Sequence, residues 1–208
     1  MSELKKIAAG AAQEVYRKYA LEVEPEEQPL LDDTIAPASF LDRLIQAGEF
    51  AHAAKFLAFG LPKREATWWA CLVAREVLPE DAPAEAQAAL QAAEAWVYKP
   101  SEENRRAVME KGEAADDGSP AAWAAFAAAW SGGSLAPADM EAVPPPEDLT
   151  GKAVNSVITL AAYGAEPERA EQKFRLFVAQ GMDVAQGGNG RVTAEGERLP
   201  VPAGAAPG

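Results

Sequence analysis

The sequence predicts an all-α protein, an irregular stacked helical bundle of about nine helices with a proline-rich connector and a disordered C-terminal tail. Three observations carry that expectation. Hydrophobic residues make up 49% of the 208 positions, and much of that share is alanine, the strongest intrinsic helix former. Long β-branched runs are missing, and residues 154–159 come nearest to one. Apolar stripes at helical spacing recur along the chain, and most are bounded by proline or glycine.

Residues 3–21 form the first element, an N-terminal helix with Leu4, Ile7, Ala11, Val15 and Tyr19 on one stripe. Residues 22–36 are acidic and broken by Pro25 and Pro29, which reads as a linker. The first helix is then either docked or a mobile arm. Residues 37–186 form the helical domain. Pro37 opens a helix with Phe40, Leu41, Leu44 and Ile45 on one face, and Gly48 caps it. A helix over 49–59 follows with Phe50, Ala53, Ala54 and Leu57 inward, completing an α-hairpin.

Pro62 fits the first turn of the next helix, whose wide stripe of Trp68, Trp69, Leu72, Val73 and Val77 marks it as the expected centre. Pro79 ends it. Pro83 starts another, carrying Ala86, Leu90, Ala93, Trp96 and Val97, and Pro100 stops that one. Ser101 caps a helix to about residue 115, anchored by Val108 and Met109. Ser119-Pro120 opens a helix with the stripe Trp123, Phe126, Ala127 and Trp130, broken at Ser131-Gly132-Gly133-Ser134.

Pro137 and Pro144-Pro145-Pro146 exclude helix from 135–149 and favour an extended segment that crosses the body and packs on aromatics. Thr150 is expected to cap a helix through Tyr163 with Val154, Val157, Ile158 and Ala161 inward. Pro167 restarts the last helix, with Ala170, Phe174, Phe177 and Val178 buried and Gly181 as its cap. Residues 187–208, rich in glycine and alanine, read as a disordered tail. No pattern recurs at one fixed period, so a solenoid is not expected.

The formal net charge of −13 repels phosphate, which argues against nucleic acid and anionic membranes and leaves a protein as the expected partner. The single cysteine, Cys71, allows no intramolecular disulfide and fits a reducing compartment. Near Met1 there is no sustained apolar stretch of the secretory kind, and no uncharged apolar run reaches membrane-spanning length. A cytoplasmic location is the expectation.

The five tryptophans fall within residues 68–130 and read as the aromatic centre of the core. Neighbours on a helix diverge by about 100°, so one of Trp68 and Trp69 can anchor the fold while the other faces a partner. The candidate partner-binding residues are Trp68, Trp69, Arg64, Ser131, Gly132, Gly133 and Pro145. Arg75, Arg105 and Arg106 are candidates to hold acidic elements of the fold or of a partner, against the plainer reading of solvated pairs. A His52/Cys71 dyad is conceivable, but no third orienting group accompanies it. No catalytic constellation, cofactor motif or cluster of metal ligands is recognisable.

Several segments together carry a family resemblance. They are Leu61-Pro62-Lys63-Arg64-Glu65-Ala66-Thr67-Trp68-Trp69-Ala70-Cys71, Ala93-Glu94-Ala95-Trp96-Val97, Pro100-Ser101-Glu102-Glu103-Asn104-Arg105-Arg106, Pro120-Ala121-Ala122-Trp123, Trp130-Ser131-Gly132-Gly133-Ser134 and the triproline. The string resembles an uncharacterised bacterial family, a domain of unknown function whose members are encoded near type VI secretion genes in Gram-negative bacteria. The resemblance spans about residues 37–186 and supplies no catalytic residues. It implies an accessory or adaptor/chaperone-like interaction protein. A small hydrolase or toxin using His52, Cys71 or acidic residues is the first alternative, and a structural stabilising subunit the second.

Overall fold

The computed structural model describes residues 3–137 and 139–200. Its helices are α1 (Ala12–Tyr19), α2 (Pro37–Ala47), α3 (Phe50–Gly60), α4 (Lys63–Val77), α5 (Ala84–Tyr98), α6 (Glu102–Ala114), α7 (Pro120–Ala129), α8 (Leu149–Tyr163) and α9 (Ala170–Ala185), with a 3₁₀ turn at Pro167–Arg169. The fold is all-α. Among the described residues the only β pairing is an isolated antiparallel bridge between Val192 and Arg198. The chain divides into two compact units. One holds the residues up to Pro62 with those from Glu168 onward, and the other runs from Lys63 to Pro167.

The first unit contains α1, α2, α3 and α9. The helix expected from residue 3 begins only at Ala12. Glu14 sets that start by accepting from the backbone N–H groups of Gly10 and Ala11, which would otherwise be orphaned at the helix end. Upstream, Leu4 and Ile7 are buried in irregular chain, and Lys6 N–H donates to the Ala185 carbonyl. The first helix is docked: Ala12, Val15 and Tyr16 are buried. The Tyr16 ring meets Phe40 edge-on at 6.0 Å and stacks on Phe56 at 6.2 Å, and Phe40 meets Phe56 at 5.2 Å. Such pairs add about 0.5–1.5 kcal/mol each beyond area burial. This unit thus has an aromatic core with no tryptophan in it; all five tryptophans lie in the second unit, where Trp69 and Trp96 are buried and Trp68, Trp123 and Trp130 only half-buried.

The acidic stretch read as a linker is also pinned. Glu27 is fully buried. One carboxylate oxygen accepts from the Tyr16 hydroxyl, and the other accepts from Glu24 N–H at 2.8 Å and lies 3.4 Å from Lys55 Nζ. Lys55 also donates to the Glu22 carbonyl at 3.0 Å. Burying a carboxylate is tolerable only with such partners. Composition marks acidic loops as solvated on average and cannot single out the one acid that turns inward.

At the other end, Gly181 does not cap α9. It is buried mid-helix, and the helix continues to Ala185. The left-handed glycine comes later, at Gly187 with φ 93°. Residues 187–200, read as tail, carry ordered turns: Asp183 accepts from Gly190 N–H at 2.8 Å, Leu199 N–H donates to Arg191 at 2.9 Å, and Val192 is buried. The rest of the expected tail lies outside the described residues.

In the second unit the central element is α7, not α4 as the tryptophan-rich stripe suggested: α7 packs on α4, α5, α6 and α8. Its buried face is made of Ala121, Ala122, Ala124, Ala125, Ala127, Ala128 and Ala129, while Trp123, Phe126 and Trp130 are only half-buried. The amphipathic reading of this helix is therefore inverted. A helix surrounded by others needs small side chains for close approach. A β-carbon added to Gly112 of α6 would lie 3.0 Å from the Phe126 ring and 3.2 Å from Ala125 Cβ. The aromatics form a rim: Phe126 and Trp130 stack at 5.1 Å, and Trp123 donates Nε1–H to the Asp117 carbonyl at 2.7 Å. The indole N–H of Trp123 suits such a border position. The two serine caps are as expected, with Ser101 accepting from Asn104 N–H and Ser119 from Ala122 N–H, both at 3.2 Å. Thr150, the expected cap of α8, lies inside that helix, and its hydroxyl donates to the Trp130 carbonyl at 3.2 Å.

Candidate interaction surface

The most constrained irregular segment in the second unit follows α7. Trp130 leaves the helix, and Ser131 donates its hydroxyl to the Ala128 carbonyl at 2.7 Å. Gly133 then adopts φ +65°, a left-handed conformation that L side chains resist. Behind it lies Arg105, only 5% exposed. Its Nη1 donates to the Ala129 carbonyl at 2.6 Å and its Nη2 to the Ser134 carbonyl at 2.9 Å. The same guanidinium forks onto Glu102, Nε to Oε2 at 2.6 Å and Nη2 to Oε1 at 2.8 Å. The planar fork of arginine meets both tasks at once, which an ammonium cannot. Arg105, donating to both carboxylate oxygens, holds Glu102 below the usual carboxylate range.

Arg106 adds a second tether, donating to the Ala136 carbonyl at 3.3 Å and pairing with Glu102 at 2.8 Å. Ser134 closes the loop on itself: its Oγ accepts from the N–H groups of Ala136 and Val143, both at 3.0 Å. Leu135 N–H donates to the Val143 carbonyl at 2.8 Å. The proline-rich connector thus folds back rather than crossing the body as an extended strand. It presents three large apolar side chains to solvent beside the exposed acids Asp139 and Glu141: Leu135 is 36% exposed, Met140 65% and Val143 51%. Beside it, between α6 and the start of the loop, lies a groove of about 400 Å³ lined by Arg106, Met109, Glu110, Glu113, Leu135 and Pro137 among others.

The residues expected at a binding surface separate into two places and a remainder. Ser131, Gly132 and Gly133 belong to the clamped loop, with Gly133 exposed at its left-handed turn. Pro145 is half-buried between the exposed Pro144 and Pro146. Arg64 and Trp68 lie together elsewhere: Arg64 Nε donates to the Val97 carbonyl at 2.7 Å, and Trp68 meets the exposed Tyr98 ring at 5.9 Å. Trp69 is fully buried and presents nothing to a partner. Its 100° offset from Trp68 points it into the core.

Arg75 makes an exposed two-point pair with Glu94, at 3.2 and 2.7 Å. The sequence reading missed Met140, Val143 and Tyr98. The signal for the first two was available, since bulky apolar residues in a proline-rich segment have no helical face to bury them.

The two residues of the conceivable dyad fall in different units. Cys71 lies in the core of the second unit, and burial pushes its thiol far up, away from the reactive thiolate. His52, in the first unit, has Nδ1 3.0 Å from Glu49 Oε2. Among the described residues no group of three or more His, Cys, Asp or Glu is placed to hold a metal ion. No helix among them is long and apolar enough to cross a membrane.

Fold and site together define an all-α protein of two compact helical units, one of which carries an arginine-clamped, apolar-faced loop. The chain belongs to a family of unknown function, DUF6931, whose match runs over residues 40–185 and so takes in the clamp and the loop. No curated protein and no solved structure matches the chain.

Proposed function

We propose that this chain is a protein-interaction factor, an accessory or adaptor/chaperone-like component associated with bacterial type VI secretion and acting in the cytoplasm. The observation that supports the interaction reading is the clamped loop. Arg105 fixes a segment whose outward side chains, Leu135, Met140 and Val143, are apolar and exposed. A loop held rigidly in that way loses little conformational entropy on binding, which is what a contact surface needs. Exposed apolar side chains gathered on one short segment mark interaction sites more often than scattered ones do. The secretion context is supported by the resemblance of the tryptophan, proline and glycine motifs. A pull-down from a native host at low ionic strength, where electrostatic partners persist, tests the proposal. It should recover a secretion component or an effector. Recovery of neither would contradict it.

A further inference from the structure

Resting on the interaction reading above, we infer that the groove between α6 and residues 134–137 receives a basic segment of the partner, an apolar anchor side chain flanked by lysine or arginine. Charge selects this occupant. The two cations at the groove are already engaged: Arg105 is buried and bonded to Glu102, the Ala129 carbonyl and the Ser134 carbonyl, and Arg106 is paired with Glu102 and bonded to Ala136. The two anions are not: Glu110 and Glu113 are exposed on the groove wall and make no ion pair among the described residues. Spaced i, i+3 on α6, they lie on one helix face as a neighbouring pair. Glu141, on the same loop as the apolar side chains, is exposed too.

The apolar part of the lining is Met109, Leu135 and Pro137, and a cavity of about 400 Å³ has room for one large side chain. Methionine adapts to the shape of such an anchor. Acidic flanks around an apolar floor leave an anionic or purely polar segment with unmatched charges, so they discriminate as well as attract.

The experiment is a selection of random 12-residue peptides on the full-length protein, followed by anisotropy titration of fluorescein-labelled winners. The expected winners carry an aromatic or aliphatic anchor with at least two flanking Lys or Arg. Their affinity should fall about tenfold in the Glu110→Gln/Glu113→Gln variant, and should fall with rising salt. Removing two exposed charges elsewhere, in Glu76→Gln/Glu80→Gln, should change affinity less than about twofold, which separates the groove from the general acidity of the chain. Acidic or uncharged winners, or equal losses in both variants, would overturn the inference. The interaction reading is separable from it. If Met140→Asp/Val143→Asp abolishes recovery of a secretion component while Glu110→Gln/Glu113→Gln leaves it intact, the loop is the contact and the basic occupant is wrong. If recovery is absent from the wild-type protein, the interaction reading itself fails.

Discussion

Arg105 stands where a side chain at position 133 would have to go: a β-carbon on Gly133 would lie 2.6 Å from Arg105 Nε and 2.7 Å from Glu102 Oε2. The glycine is needed twice, for its positive φ and for this space. Gly133→Ala combines a left-handed backbone cost of roughly 1–2 kcal/mol with displacement of the clamp. The expected outcome is a fall in Tm of several degrees together with early proteolytic cutting within 134–143. Gly132→Ala is the control, because a β-carbon there meets nothing within 4 Å. Equal behaviour of the two variants would remove the clamp from the account.

Arg105 itself should not tolerate lysine. An ammonium cannot reach Glu102, the Ala129 carbonyl and the Ser134 carbonyl in one plane. Arg105→Lys and Arg105→Met are both expected to cost about 3 kcal/mol, since each leaves buried carbonyls without donors. Urea denaturation measures this. The Glu102 end adds a pH dependence with a fixed sign. Its folded pKa is depressed, so its contribution is present above the unfolded value near 4.3 and is lost as pH falls through the folded value. Glu102→Gln should therefore flatten the acid limb of the stability profile. Because Glu102 is half exposed, the change will be modest.

The punctuation of the helices was legible in the sequence, and their burial was only partly so. Gly48 sits at φ 82° as expected of a capping glycine, and the Ser101 and Ser119 caps form. These are local effects, decided within four residues. What the sequence hid was decided by neighbours distant in the chain. Trp123, Phe126 and Trp130 make an ideal apolar stripe, but α7 is surrounded, and its alanine face had to turn inward. Residues 22–36 look solvated by composition, and only the Tyr16 hydroxyl and Lys55 reveal why Glu27 is inside. Of the candidate site, the loop was found from its glycines and prolines. The clamp was half found: Arg105 was one of three arginines with Arg75 and Arg106 that could hold acidic elements, solvated pairs being the plainer reading, and no periodicity tells which arginine will be buried.

The Tyr16–Glu27 contact yields a prediction at the opposite end of the pH scale. Burial, then the hydrogen bond to Glu27, pushes the Tyr16 phenol well above its usual value near 10. A raised pKa means that the stabilisation is complete below about pH 10 and is lost as pH climbs from there toward the folded value. Tyr16→Phe should cost about 1–3 kcal/mol at neutral pH by leaving a buried carboxylate short of a donor. It should also remove part of the alkaline decline seen in the wild-type protein. Parallel stability curves for the two proteins between pH 7 and roughly 11 would contradict this.

Cys71 offers a simple check of the core. With no solvent exposure and a thiol pushed up by burial, it should react with a disulfide reagent no faster than the protein unfolds. A rate proportional to reagent concentration under native conditions would show that the site opens. Cys71→Ala should lower stability by about 1 kcal/mol or more through lost packing, and like His52→Ala it should leave partner recovery unchanged.

The central claim is that the arginine-clamped loop is the surface that holds a partner, and the most direct measurement compares partner recovery by the wild-type chain and by Met140→Asp/Val143→Asp. Both positions are more than half exposed, so the substitutions should leave Tm within about 1–2 °C of wild type. The account predicts that the folded variant loses its secretion component or effector while the wild-type protein retains it. Undiminished recovery by a variant of unchanged Tm would contradict it.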